Sequence, residues 1–144
     1  MMDLPPVMDP PAIVEIIEDG GGLMADYFEY YEQLRLNGNK IMITGDCYSA
    51  CTLFFALPKN KICFSKHAVL GFHKASPSVI LQEAFGSDKA AMKVFNGLAV
   101  VWTDVFWNFT YPEDIKKELG ELTVDFKYID GAELIYYHGY KECE

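Results

Sequence analysis

The sequence predicts an α/β fold built on a mainly parallel sheet, and three observations point there. Short β-branched or apolar runs alternate with helical segments in the order β-α-β-α-β-β. The first two strands each end in a glycine-containing turn that feeds a helix. Half of the 144 residues are apolar and 15% are aromatic, enough for one core of ordinary size.

In chain order, residues 1–11 carry Pro5, Pro6, Pro10 and Pro11 and read as an extended arm preceding a single domain, 12–144. "AIVEIIE" (12–18) is a buried strand that runs into Gly20-Gly21-Gly22. Met24, Tyr27, Phe28, Tyr31 and Leu34 form the apolar stripe of a helix that Asn37-Gly38 ends. "KIMIT" (40–44) is a strand, Gly45-Asp46 a turn, and "SACTLFFAL" (49–57) a short apolar helix stopped before Pro58. "KICFS" (61–65) and "AVLGFH" (68–73) are strands, and Val79-Ile80-Leu81 is a further short one. A long helix follows from Lys89 to about Phe109, apolar almost all round in its second half. So large an apolar surface on a small chain implies self-association. Pro112 opens another helix, and Asp130 with Glu133 forms a capping box for the last one.

The net charge of −9 argues against nucleic acid and against an anionic membrane surface, both of which need clustered Lys and Arg. No stretch approaches the roughly 18 unbroken apolar residues of a membrane span. The first residues lack the basic and apolar regions of a secretory signal, so Cys47, Cys51, Cys63 and Cys143 are expected to be reduced thiols in a cytoplasmic protein. No cofactor is implied. No metal site is expected either, because Cys47 and Cys51 have no second Cys/His pair at a matching interval. Their simplest role is small apolar packing. A disulfide that blocks Ser49 is the sharper alternative, and it needs Cα atoms within about 7 Å.

The chemistry concentrates at "GDCYSAC". A serine where a strand becomes a helix lies among free N–H groups that favour an oxyanion. The N–H of Ala50 is one candidate donor, and the Gly20-Gly21-Gly22 turn, at the same edge of a parallel sheet, offers a second. A general base should be a histidine. Of His67, His73 and His138, His73 ends a strand and is the best placed.

This order of parts resembles the proteolytic subunit of the Clp protease and the wider crotonase-like fold. The strand into a multiple glycine, "G-x-C-x-S-A-C", "GFH", the long helix, "T-x-P-E-D-I" and "E-L-x-x-x-x-G" carry the resemblance across about residues 13 to 140. It implies a serine endopeptidase in an oligomeric ring or a stack of rings, acting on peptides or unfolded protein. Ser49 falls on the nucleophile and His73 on the base. Asp125 best fits the orienting acid, with Asp130 as runner-up. Gly21 and Ala50 fall on the oxyanion donors. Gly22 and the strand Val79-Ile80-Leu81 fall on the substrate-binding edge, where an extended peptide would add as a strand.

The chain departs from the pattern in having Tyr48 and Ala50 beside the serine and Asp19 in place of a loop proline. With only about a dozen residues before the first glycine strand, it is also expected to lack the strand and helix that precede that strand in the family. That reduces the docking surface for an AAA+ unfoldase, a possible partner. Two other readings follow from the same residues. One is a catalytically inactive ring-forming or partner-modulating relative. The other is acyl-thioester chemistry of the crotonase type, which needs a carboxylate such as Asp19 or Asp46.

Overall fold

The computed structural model describes residues 12–74, 107–108 and 110–144. The arm at 1–11, the strand at Val79-Ile80-Leu81 and nearly all of the long helix from Lys89 lie outside the described residues. Within them the architecture is α/β around a mixed six-stranded sheet.

Strand β1 (Ile13–Asp19) is followed by α1 (Met24–Asn37) and by β2 (Lys40–Tyr48). Tyr27, Tyr30, Tyr31 and Leu34 of α1 are buried, the i, i+3, i+4, i+7 face that helical periodicity dictates. Gly38, at φ 75°, ends α1 by donating its N–H to Arg35 O and Leu34 O.

β2 is longer than its sequence suggests. Gly45 sits in a bulge inside the strand rather than in a Gly45-Asp46 turn, and Asp46 is back in register with Glu18 and Val69. The β1–β2 register shifts between Ile16 and Glu18, and a Cβ at Gly45 would stand 1.8 Å from Ile17 O. Only glycine lets the neighbouring backbone approach so closely, which is how a glycine within a strand marks a bulge.

A 3-10 helix (Ser49–Ala56) takes the place of the expected α-helix, with a second 3-10 turn at Lys59–Lys61. β3 (Ile62–Phe64), β4 (Val69–Phe72), α2 (Glu113–Leu119), β5 (Lys127–Asp130), α3 (Gly131–Tyr136) and β6 (Lys141–Glu142) complete the described fold. Asp130 caps α3, its Oδ1 accepting from Glu133 N at 2.8 Å.

β2 organises the sheet. β1 lies parallel along one edge, while β3 pairs with Ile41–Ile43 and β4 with Asp46–Tyr48 along the other. β6 runs parallel to β3, and β5 runs antiparallel to β4, so the sheet is mixed. The core is aromatic-rich: among the described residues Tyr27, Tyr31, Phe54, Phe64 and Phe72 are its largest fully buried side chains. Among the described residues no helix is long and apolar enough to cross a membrane.

All four cysteines are paired, correcting the expectation of reduced thiols. Cys47 bonds Cys51, their Cα atoms 5.4 Å apart, and Cys63 bonds Cys143, 5.0 Å apart. The first pair brackets the serine turn. The second ties β3 to the tail beyond β6, where Cys143 N also donates to Phe64 O at 3.0 Å.

Candidate active site

The register of β2 against β4 places the serine and the histidine together. Tyr48 pairs with Gly71, so Ser49 leaves β2 beside the end of β4, and His73 follows one residue past Phe72. His73 Nε2 lies 2.9 Å from Ser49 Oγ, within hydrogen-bond reach for proton transfer. His67 is exposed near the turn before β4, where its N–H donates to Ser65 Oγ.

Ser49 has φ 57°, the only positive value among the described non-glycine residues. A left-handed residue with a Cβ costs about 1–2 kcal/mol, so the surrounding structure must hold it. Several groups do so. Thr52 Oγ1 donates to Ser49 O at 2.6 Å and contacts Tyr111 Oη at 2.7 Å. Tyr31 Oη donates to Cys51 O at 2.8 Å, and the Cys47–Cys51 bond closes the turn covalently.

The glycine turn after β1 packs directly on this elbow. A Cβ at Gly21 would stand 2.8 Å from Tyr48 O, 2.9 Å from Ser49 Cβ and 3.3 Å from Ala50 N. Gly21 has φ 93°, so both space and backbone demand glycine. Its N–H, the expected oxyanion donor, donates here to Asp19 Oδ1 at 2.9 Å. Asp19 is buried and also accepts from Tyr27 Oη at 2.6 Å. Burial and the bond to Asp19 push the Tyr27 hydroxyl far above its ordinary value, so it stays a donor. Gly22 rests against the Tyr27 ring.

Asp125 lies exposed just before β5, its N–H donating to Thr123 Oγ1. Among the described residues no hydrogen bond joins its carboxylate to His73. Asp130 is occupied as the α3 cap. The group that does meet the His73 ring is Phe126, stacked with centroids 4.2 Å apart. The tyrosines that support the turn, together with Phe126, are the site residues that sequence reasoning passed over. It singles out Asp19, but as a candidate catalytic carboxylate and not as the acceptor that holds Gly21 and Tyr27. The signal was an aromatic next to Asp125 and a buried-face tyrosine on α1, which motif spacing alone does not flag.

His138 joins a second cluster, away from Ser49. Its Nδ1 is 2.7 Å from Asp114 Oδ2 and its Nε2 2.7 Å from Glu118 Oε1. Burial alone would push the imidazole down, but the bonds to Glu118 and Asp114 outweigh it, and the pKa is raised. Glu133, hydrogen-bonded to Glu118 and partly desolvated, is pushed up to about 7. Glu118, Glu133 and His138 have ligand atoms within 4.8 Å of one another and are the residues that would hold a metal. Both ring nitrogens of His138 are already engaged by carboxylates, so a cation would have to displace them from the ring.

No family model matches the sequence, and no match to it is found among curated proteins.

Proposed function

We propose that the chain is a serine hydrolase acting on peptide bonds, with Ser49 as nucleophile and His73 as general base. The observation that carries this reading is the 2.9 Å approach of His73 Nε2 to Ser49 Oγ, made at a left-handed strand-to-helix turn. Ser49 attacks the carbonyl carbon while His73 takes its proton and returns it to the amine as the C–N bond breaks. Water, deprotonated by His73, then attacks the acyl-serine, and the serine oxygen regains the proton. Ala50 N–H supports the oxyanion. Gly21 N–H would join it only when released from Asp19, and Asp125, the expected orienting acid, would have to reach the other ring nitrogen of His73 to complete a triad.

The resemblance to the Clp proteolytic subunit and the apolar second half of the 89–109 segment support a ring of copies of this chain. Its substrate would be an extended peptide or unfolded polypeptide, paired along Val79-Ile80-Leu81 and the Gly22 loop. Two disulfides favour an oxidising compartment over a reducing cytoplasm. That in turn disfavours an AAA+ partner, which needs ATP.

A non-catalytic, ring-forming relative is the second reading. The engagement of Gly21 N–H by Asp19 and the exposed position of Asp125 favour it. Acyl-thioester chemistry has less support, because of its two candidate carboxylates Asp19 is tied to Gly21 and Tyr27 and Asp46 is hydrogen-bonded to Tyr48.

Cleavage of a fluorogenic peptide library separates the readings. The hydrolase reading expects turnover that Ser49→Ala lowers to background. Stabilisation by coenzyme A, without peptide turnover, would instead favour thioester chemistry.

A further inference from the structure

We propose that Phe126 is a positioning residue for His73, holding the imidazole against Ser49 by ring stacking; this rests on the hydrolase reading above. The His73 and Phe126 rings lie with centroids 4.2 Å apart and planes 22° apart. The same phenyl packs on Tyr48 at 5.8 Å and stacks on Tyr128 at 5.9 Å, while Tyr48 and Tyr128 meet edge to face at 5.9 Å. Tyr48 immediately precedes the nucleophile. One ring therefore touches the base directly and reaches the nucleophile through a single residue.

The strand registers build this arrangement. Tyr48 pairs with Gly71 and Gly71 with Tyr128, a row across β2, β4 and β5. Side chains two residues apart on a strand share a face. That sets His73, two beyond Gly71, and Phe126, two before Tyr128, on the face of that row. Extending the register one residue past the pair Phe72–Lys127 sets His73 opposite Phe126.

Gly71 leaves the room. A Cβ there would come 2.6 Å from Tyr48 Cδ1 and 3.1 Å from Phe126 Cδ1.

Core packing does not account for the cluster. Phe126 is 39% exposed and Tyr128 59% exposed, so neither ring is there to fill the interior. What the stack does is restrict rotation of an imidazole that no carboxylate holds among the described residues. Offset-stacked aromatic pairs favour a defined mutual orientation beyond what area burial alone supplies, so the stack selects one orientation of the ring. Misplacing a catalytic group by about 1 Å can cost on the order of 10²-fold in rate.

The test compares Phe126→Leu and Phe126→Tyr with the full chain in hydrolysis of a p-nitrophenyl ester. Nuclear magnetic resonance of the His73 ring protons is followed in the same samples. Phe126→Leu should lower kcat about 10-fold or more with KM and Tm held, and Phe126→Tyr should restore it. The His73 ring protons should lose an upfield ring-current shift in Phe126→Leu and keep it in Phe126→Tyr. Wild-type kcat in Phe126→Leu, or unmoved His73 resonances, would overturn the positioning role. Ester hydrolysis undiminished by Ser49→Ala would overturn the hydrolase reading instead, and the resonances would still report whether the stack exists.

Discussion

Tyr30 and Tyr31 are neighbours on α1, both buried, with different consequences for their hydroxyls. Tyr31 Oη donates to Cys51 O and so holds the turn that carries Ser49. Tyr30 Oη has no partner among the described residues, and burial pushes its pKa up to about 12. Tyr31→Phe should therefore cost about 1–3 kcal/mol by urea unfolding, because it orphans a buried carbonyl. Tyr30→Phe should be neutral or slightly stabilising, since it removes a desolvated group that gains nothing. Asp19 acts at the same scale. Asp19→Ala should destabilise by about 1–3 kcal/mol, because the Gly21 N–H and Tyr27 hydroxyl lose their acceptor. Equal stability of the wild type and Asp19→Ala would show that the glycine turn is held by other means.

At the scale of elements, α2 and α3 are joined through His138, and their joint responds to pH. The His138 pKa is raised in the folded state, so its stabilisation is present below the unfolded value near 6.5 and fades as pH rises through the folded value. Glu133 works in the same direction. Its carboxyl is held protonated up to about 7, whereas the unfolded chain releases that proton at lower pH, so stability again falls as pH rises towards 7. The wild type should thus be more stable at pH 6 than at pH 8 in chemical denaturation. Glu133→Gln should flatten that difference, and an unchanged slope would contradict the coupling.

The elements also show what a sequence carries and what it hides. The α1 stripe, the Gly38 stop and the Asp130 cap were legible because each has a local signature: periodicity, a left-handed glycine, a side chain three residues from its donor. The continuation of β2 through Gly45 was not, because a glycine bulge depends on a neighbouring strand. β5 and β6 are too short to show alternation, and they exist because β4 and β3 have open edges to pair. The approach of His73 to Ser49 was legible because both follow the ends of strands that the strand order sets side by side. Phe126 was not, because its role depends on an antiparallel register between β4 and β5.

For the molecule as a whole, the two disulfides divide the labour. Cys63–Cys143 closes a sequence separation of 80 and is partly exposed, whereas both Cys47 and Cys51 are fully buried. Mild reductant should open Cys63–Cys143 first, with a loss of about 2–5 kcal/mol in stability. The Cys47–Cys51 bond should yield only on unfolding. Alkylation and peptide mapping before and after reduction check both statements, and free thiols in the untreated protein would contradict the pairing. The assembly state is a separate matter, expected from the apolar second half of the 89–109 segment. Light scattering on the purified chain should find a multimer, and a monomer at all concentrations would remove the ring from the account.

The central claim is that Ser49 is activated by His73. Intact mass after incubation with a fluorophosphonate tests it most directly, beside Ser49→Ala and His73→Ala. One adduct should form on the wild type and none on Ser49→Ala, with His73→Ala slowed by about 10²–10⁴. A folded wild-type protein that takes no adduct, or a Ser49→Ala variant that still takes one, would contradict the claim.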